Sequence, residues 1–222
     1  MDLNSILATI SIAAIPVVFA ITVHEVAHGW VAKQFGDRTA EMLGRLTLNP
    51  VRHVDPIGTI LVPGILLLSG SGFMFGWAKP VPVDARNMRN PRANMVLVTA
   101  AGPLSNLVMA TIWAVIMMVS QDSMSGVAGE WIARMAQYGI VFNIMLAVFN
   151  MLPIPPLDGG QVLTNLLPPG AAADFLRRVA PFGFFLVLAL IVTKQLWPII
   201  GPPIGFLLAF LVDTFGLRMV AF

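Results

Sequence analysis

The sequence contains no cysteine and little charge. Its 222 residues include one tyrosine and three histidines, and charged residues make up 11% of the chain. The absence of cysteine excludes disulfides, thiolate metal ligands and a cysteine nucleophile, so any chemistry must use His, Asp, Glu, Ser or Asn. A formal net charge of +2 is too small to favour nucleic acid as a partner.

The sequence is instead rich in apolar residues. These make up 57% of the chain, the mean hydropathy is +0.84, and the apolar residues fall into several long runs. This composition is typical of a polytopic protein in a lipid bilayer. The first run lacks a basic segment before it and a cleavage site after it, so we expect a retained helix and not a signal peptide. The clear runs are 5–32, 93–120, 131–152 and 182–217, and the last is read as a helix pair broken at "TKQLWPIIGPP".

A further apolar segment, 57–68, is too short to span a membrane. About 12 helical residues rise about 18 Å, whereas a bilayer core is about 30 Å thick. The sequence that follows, "SGSGFMFGWAKPVPVD", has no helical period. We therefore predict a short re-entrant or extended segment near 57–83, with an ordinary interfacial loop as the alternative. The expected fold is an all-α polytopic membrane protein with about five to six transmembrane helices, in a single domain over 1–222.

Basic residues cluster between the apolar runs. One cluster follows the first run and another precedes the second run. Arg177 and Arg178 precede the final pair, and a further basic residue follows that pair. The connection 121–130, by contrast, has two acidic residues and no basic one. If the segment near 57–83 enters and leaves on one side, the positive-inside rule places these clusters in the cytoplasm. The first run and the run 131–152 then cross the membrane in the same direction.

A polar motif lies near the end of the first run. His24, Glu25 and His28 form the pattern H-E-x-x-H. Positions i and i+4 share one face of a helix, so both imidazoles can reach one metal ion, and Glu25 is placed to take a proton from a water on that metal. The alternative is a polar cluster that packs helices, but ionisable residues inside a membrane are costly and functional by default.

A catalytic zinc takes three protein ligands and keeps one position open. Candidates for the third ligand are Asp37, Glu41, His53, Asp55 and Asp158. The first four lie in the polar loop after the first run, where such residues need no special explanation, and His53 is the main rival among them. Asp158 lies in the apolar stretch "NMLPIPPLDGGQVL" and reaches the depth of the histidines by the topology above. Its alternative role is that of a helix N-cap.

Three motifs together resemble those of a known family. "HEVAHG", "AGPLSN" on a later run and "NMLPIPPLDGG" on the next are similar to the motifs of the site-2 protease family of intramembrane zinc metalloproteases, in the compact form without a PDZ or CBS domain. The resemblance implies one zinc per chain bound by His24, His28 and Asp158, with Glu25 as general base. It also implies hydrolysis of peptide bonds in or near transmembrane helices of membrane-protein substrates, as in regulated intramembrane proteolysis.

The resemblance suggests roles for further residues. Asn150, at the start of the proline-rich motif, would donate a hydrogen bond to the oxyanion of the scissile carbonyl, or would join helices. Asn106, in the family's Gly-x-x-x-Asn element, would bind substrate or serve packing. Phe75, Gly76 and Trp77 belong to an extended stretch that could add a substrate strand by β-augmentation.

These features predict an integral, multi-pass protein of a prokaryotic cell membrane with its active site towards the cytoplasmic side. The sequence does not indicate an oligomeric state. The alternative function is a non-proteolytic metal-binding membrane protein or a transporter, whose broken helices look similar. Glu25 discriminates between the two, because hydrolysis needs an unligated carboxylate beside the metal and transport does not.

Overall fold

The computed structural model describes residues 3–62, 64–65 and 76–219, and these ranges contain helices and loops but no strand. The α-helices are α1 (Leu3–Gln34), α2 (Thr39–Met42), α3 (Pro91–Ser123), α4 (Gly126–Asn150), α5 (Asp158–Leu166), α6 (Ala171–Val179), α7 (Gly183–Val192) and α8 (Leu196–Phe215). Short 3-10 turns cover Pro50–His53, Ala85–Asn87 and Ala180–Phe182, and a π-helical turn covers Pro56–Leu61.

Five of the described segments are long and apolar enough to cross a membrane, which confirms the predicted all-α polytopic fold. They are Thr9–Gln34, Pro91–Ser123, Gly126–Asn150, Ala171–Val192 and Leu196–Phe215. The helix pair expected at 182–217 is present, but its first member begins at Ala171. Arg177 and Arg178 were expected before this member and lie within it, because α6 continues through a 3-10 turn into α7.

The hydrophobic core lies between α3, α4 and α8. Gly139 on α4 lets α3 approach closely, since a Cβ at this position would lie 2.6 Å from Cδ1 of Trp113. Large apolar side chains such as Phe185 and Phe206 remain exposed, as expected where lipid takes the place of protein. The buried core residues are Ala110, Ala114, Met117, Ala136, Ile140, Ile144, Leu152, Ile200, Ile204, Leu211 and Leu217.

Helix α1 packs against both α3 and α4. His24 bonds to Asn106 and His28 bonds to Val98, so α1 and α3 run in opposite directions. Asn143 on α4 bonds to Asn106, and the chain beyond α4 returns to the level of the two histidines. Helices α1 and α4 therefore run in the same direction, as the charge pattern predicts.

The predicted re-entrant or extended segment falls only partly within the described residues. Its start is the π-helical turn Pro56–Leu61, and its end, 76–84, has neither helix nor strand. We call 76–84 the extended segment because the alternate N–H groups of Trp77, Lys79 and Val81 bond to the rest of the protein. The Trp77 N–H donates to the Gly58 carbonyl across 3.0 Å, which ties this end to the turn. Phe75 lies outside the described residues, and entry into the membrane stays a prediction.

Candidate metal centre

Three side chains that can bind a metal meet where α1 faces the start of α5. The Nε2 atoms of His24 and His28 are 3.1 Å apart, and they lie 3.2 Å and 3.5 Å from Oδ2 of Asp158. Within the described ranges, this is the one group of at least three His, Asp or Glu side chains that could hold a metal ion. The structure thus brings together the three residues that the family resemblance implies as ligands.

Both histidines are held in the tautomer that this metal site requires. Nδ1 of His24 donates to Oδ1 of Asn106 across 2.6 Å, and Nδ1 of His28 donates to the Val98 carbonyl across 2.8 Å. A carbonyl oxygen only accepts, so Nδ1 carries the proton and Nε2 presents a lone pair. Such outer partners commonly orient histidine ligands of metals.

The donor set fits zinc. Two imidazole nitrogens and a carboxylate oxygen are common zinc ligands, and three of them leave one position of a tetrahedral site open. Oδ2 of Asp158 is buried and receives no hydrogen bond from the described residues. Three acceptors therefore converge on one point, and a buried charged acceptor without a partner is costly. A cation between His24, His28 and Asp158 would stabilise all three.

Helix α3 has no side chain at Gly102, where it faces both histidines. A Cβ at this position would lie against Nε2 of His28 and 2.6 Å from Cε1 of His24. Gly102 is four residues from Val98 and four from Asn106, so the three share one helix face. This face supplies an acceptor to each histidine and leaves space for the imidazoles between the two acceptors.

Asp158 reaches the site through the proline-rich turn between α4 and α5. A Cβ atom at Gly159 would lie 2.6 Å from the carbonyl oxygen of Leu152, and one at Gly160 would lie 2.6 Å from Cδ of Pro155. Because glycine has no Cβ, the first turn of α5 can pack against the proline-rich turn. The N-cap of α5 is Leu157, and no side-chain hydrogen bond caps this end of the helix; Asp158 is the first residue inside it. Its carboxylate faces the histidines, so the N-cap alternative is wrong.

Asp37, a rival for the third ligand, joins two loops. Its carboxylate accepts hydrogen bonds from the backbone N–H of Asp84 at 2.7 Å, the side chain of Asn87 at 2.9 Å and the hydroxyl of Thr39 at 2.5 Å. Burial raises the pKa of Asp37, but these hydrogen bonds outweigh burial and hold the pKa below its ordinary value. Asp37 is thus a structural carboxylate.

Glu41, His53 and Asp55 also have partners in the last turn of α1 or in the loop that follows it. Those partners are Lys33 and Arg38 for Glu41, the carbonyl of Thr47 for His53, and the backbone N–H groups of Ile57 and Gly58 for Asp55. None of the three belongs to the group that could hold a metal. Of the five candidates, the structure places Asp158 alone beside the two histidines.

Glu25 is held by the extended segment 76–84. The backbone N–H of Val81 donates to Oε2 of Glu25 across 2.7 Å. Val81 is buried, and its Cγ1 would lie 2.8 Å from a Cβ at Gly29, so the segment packs directly on α1. Within the described residues Oε1 of Glu25 makes no hydrogen bond, so one carboxylate oxygen is fixed and the other is available.

The two predicted asparagines have different surroundings. Asn150 is the last residue of α4, and its Nδ2 donates to the Leu146 carbonyl across 3.0 Å. Among the described residues it makes no hydrogen bond with a candidate ligand. Asn106 is 0% exposed and lies behind His24, away from any surface open to a substrate.

Gly76 and Trp77 are exposed at the start of the extended segment. The Trp77 ring stands edge-on to Phe184, with ring centroids 6.2 Å apart. The hydroxyl of Thr59 donates to the Trp77 carbonyl across 2.8 Å. These residues lie on the same segment as Val81, whose N–H holds Glu25.

Asn143 belongs to none of the motifs found in the sequence, but the structure links it to the site. It is 0% exposed, its Oδ1 accepts from Nδ2 of Asn106 across 2.9 Å, and its own Nδ2 donates to the Gly139 carbonyl across 2.8 Å. The one signal in the sequence is an amide in the middle of an apolar helix. The acceptor at Val98 and the donor at Val81 are backbone groups and leave no such signal.

Comparison with known proteins identifies the family. The model of "Peptidase family M50" matches residues 12–130 and 116–192. The chain belongs to peptidase family M50. The resemblance to site-2 proteases is thereby confirmed, and this M50 peptidase is a multi-pass membrane protein with zinc as its metal cofactor.

Two relatives of this M50 peptidase carry names that agree with the donor set. A Bacillus subtilis (strain 168) protein named "Putative zinc metalloprotease YwhC" is 41% identical over 194 residues, which are 84% of each chain. A Mycolicibacterium smegmatis protein named "Putative zinc metalloprotease Rip2" is 31% identical over 181 residues, which are 80% of this chain and 65% of that protein. No solved structure matches the chain.

Proposed function

We propose that this M50 peptidase is an intramembrane zinc metalloprotease that hydrolyses peptide bonds in or near transmembrane helices of membrane proteins. The observation that carries the proposal is the convergence of three acceptors, from His24, His28 and Asp158, on the helix turn that also carries Glu25. These three residues would hold the zinc. When bound, the ion would polarise a carbonyl and lower the pKa of water.

Glu25 is the proposed general base. It neighbours the ligand His24 on α1 but is not itself part of the group that could hold a metal. The Val81 N–H fixes Oε2, and Oε1 is available to accept a proton from the attacking water. A positioned, unligated carboxylate favours hydrolysis over a transporter or a non-proteolytic metal-binding protein.

Asn150 is the proposed donor to the oxyanion that forms at the scissile carbonyl. It ends α4 and precedes the proline-rich turn that carries Asp158. One N–H of its amide bonds to Leu146, and the second is available because an amide nitrogen has two donors. Preorganised donors of this kind stabilise developing charge in acyl transfer.

The extended segment is the proposed place where a substrate strand is added. The N–H groups of Trp77, Lys79 and Val81 already have partners on one edge, and Pro80 and Pro82 have no N–H. An added strand would therefore pair along 76–78. Gly76 and Trp77 lie in this range, which agrees with their predicted role.

An apolar cavity is consistent with a substrate that has apolar side chains. It has a volume of about 450 Å³ and lies between α3, α4 and α8. Pro103 and Met151 line it, the first next to Gly102 on α3 and the second in the turn that leads to Asp158. The proposed position of the site is towards the cytoplasmic side, which the placement of the basic clusters supports. The bacterial origin of the two relatives supports a prokaryotic cell membrane.

The test compares the wild type with Glu25→Gln in detergent. Zinc content is measured by elemental analysis, and proteolysis is measured on a helix-destabilised transmembrane peptide. Loss of the base should lower cleavage by about 10²- to 10⁴-fold, while about one zinc per chain is retained. Glu41→Gln is the matched control, since Glu41 pairs with Lys33 and Arg38 away from the site. Wild-type cleavage by Glu25→Gln would overturn the proposal.

A further inference from the structure

Two buried amides connect His24 to the interior of the helix bundle. Oδ1 of Asn106 accepts from Nδ1 of His24 at 2.6 Å, and Nδ2 of Asn106 donates to the Ala20 carbonyl at 3.1 Å and to Oδ1 of Asn143 at 2.9 Å. Nδ2 of Asn143 donates in turn to the Gly139 carbonyl at 2.8 Å. This amide relay joins α1, α3 and α4, and neither asparagine is exposed.

The direction of every hydrogen bond in the relay follows from its two ends. The carbonyl oxygens of Ala20 and Gly139 only accept, so the amide groups that face them must be NH₂ groups. This fixes the orientation of Asn143, whose oxygen then faces Asn106. It fixes the orientation of Asn106 twice over, because its NH₂ group meets two acceptors. The remaining oxygen of Asn106 faces His24 and only accepts from Nδ1.

We propose that Asn106, oriented by Asn143, is a positioning residue that keeps the His24 proton on Nδ1 and directs Nε2 to the metal. The inference rests on the proposed function in one respect, namely that His24 binds zinc. Asn106 was expected to bind substrate or serve packing. Its complete burial behind His24 assigns it instead to the support of a ligand.

The relay also explains why an amide serves at position 106. A carboxylate there would accept from His24 but would place its second oxygen against the Ala20 carbonyl and Oδ1 of Asn143, both acceptors. An ionised group inside the bundle would add a large desolvation cost. An amide accepts on one side and donates on the other, so it satisfies all three neighbours while remaining neutral.

The two histidines are supported in different ways. The acceptor for His28 is the backbone carbonyl of Val98, which keeps its position as long as α3 is helical. The acceptor for His24 is a side chain, which could rotate if its other hydrogen bonds were absent. Asn143 and the Ala20 carbonyl supply those bonds, so Asn143 acts on His24 through Asn106 without touching a ligand.

The experiment measures zinc affinity by competition with a chromogenic chelator, and the visible absorption of the cobalt-substituted protein. Asn106→Leu should weaken zinc binding by about 10- to 100-fold, the usual effect of removing an outer partner of a metal ligand, and should change the cobalt spectrum. Asn143→Leu should cause a smaller loss. The double variant should bind no more weakly than Asn106→Leu, because coupled residues are not additive.

Two further variants separate positioning from packing. Ser120→Ala removes a buried hydrogen bond within α3, from the Ser120 hydroxyl to the Met117 carbonyl, and should leave zinc affinity and the cobalt spectrum unchanged. Asn106→Asp keeps the acceptor for His24 but opposes two other acceptors. It should lower the melting temperature of the metal-free protein more than Asn106→Leu does, yet bind zinc more tightly than Asn106→Leu.

The outcomes separate this inference from the proposed function. If the wild type binds zinc and Asn106→Leu binds it equally well with an unchanged cobalt spectrum, the positioning role is wrong and the protease proposal stands. Zinc affinities that simply follow the melting temperatures of the metal-free variants would also overturn the positioning role. A wild type that binds no zinc would overturn both.

Discussion

Val81 donates its backbone N–H to the Glu25 carboxylate across 2.7 Å, although the two residues are 56 positions apart in the chain. Pro80 and Pro82 flank Val81 and have no N–H of their own. The donor is therefore the single N–H of a three-residue stretch, and it holds one oxygen of the proposed base. This contact ties the loop before α3 to the chemistry on α1.

Removal of this donor should impair catalysis without loss of zinc. Val81→Pro deletes the N–H, and a hydrogen bond to a charged group contributes about 1.5–3 kcal/mol, so we expect cleavage to fall by about 10- to 100-fold. Val81→Ala is the control, because it keeps the N–H and shortens the same side chain. Peptide cleavage and zinc content are measured for both, and equal cleavage by the two variants would contradict the role given to the N–H.

A methyl group at position 102 should disturb the metal site. Gly102→Ala places a Cβ against Nε2 of His28 and 2.6 Å from Cε1 of His24, so an imidazole or helix α3 must move. Zinc affinity should fall at least as far as on loss of an outer partner, about tenfold or more. Gly205→Ala on α8 is the matched control, because a Cβ there meets nothing within 4 Å. Unchanged affinity in Gly102→Ala would contradict the close approach.

The third ligand can be tested against its main rival. Asp158→Ala should lose tight zinc binding, because a tetrahedral catalytic site needs three protein ligands. His53→Ala should keep zinc but lower the melting temperature, since His53 is buried and bonds to the Thr47 carbonyl at 2.9 Å. The reverse result in chelator titrations would show that the ligand assignment is wrong.

Asp37 should make stability depend on pH in the acid range. Hydrogen bonds hold its pKa below the ordinary value, so its stabilisation is complete above the unfolded pKa of about 3.9 and is lost as pH falls through the lower folded pKa. Asp37→Asn has no such titration. Melting temperatures of the two proteins in detergent should differ most above about pH 4 and converge at lower pH. A constant difference would contradict this assignment.

The membrane helices and the two candidate histidine ligands could be predicted from the sequence because both leave side-chain signals, whereas the residues alone left several candidates for the third ligand. Long apolar runs mark α1, α3, α4 and α8, and the spacing of His24 and His28 marks a metal site. The start of the α6 segment at Ala171 could not be predicted, because Asp174, Arg177 and Arg178 interrupt the apolar character that marks a membrane helix.

Most of the contacts that hold Glu25 and the two histidines in place could not be predicted from the sequence. The Val81 N–H and the Val98 carbonyl contact residues of the site. Because these are backbone groups, the identity of the two side chains does not indicate the contacts. Asp37 and His53 could not be excluded as ligands until their own partners were known. Asn143 is a polar residue in an apolar helix, and its importance depends on the neighbouring Asn106, which lies on another helix.

The three candidate ligands come from distant parts of the chain. His24 and His28 lie on α1, whereas Asp158 begins α5, beyond the two membrane helices α3 and α4. A metal shared by them would act as a cross-link between distant parts of the polypeptide, in a protein without disulfides. Because such an ion binds the folded chain in preference to the unfolded one, it adds to the free energy of unfolding. The metal is therefore expected to stabilise the tertiary structure independently of catalysis. Its removal should lower the melting temperature of the Glu25→Gln variant as well as that of the wild type.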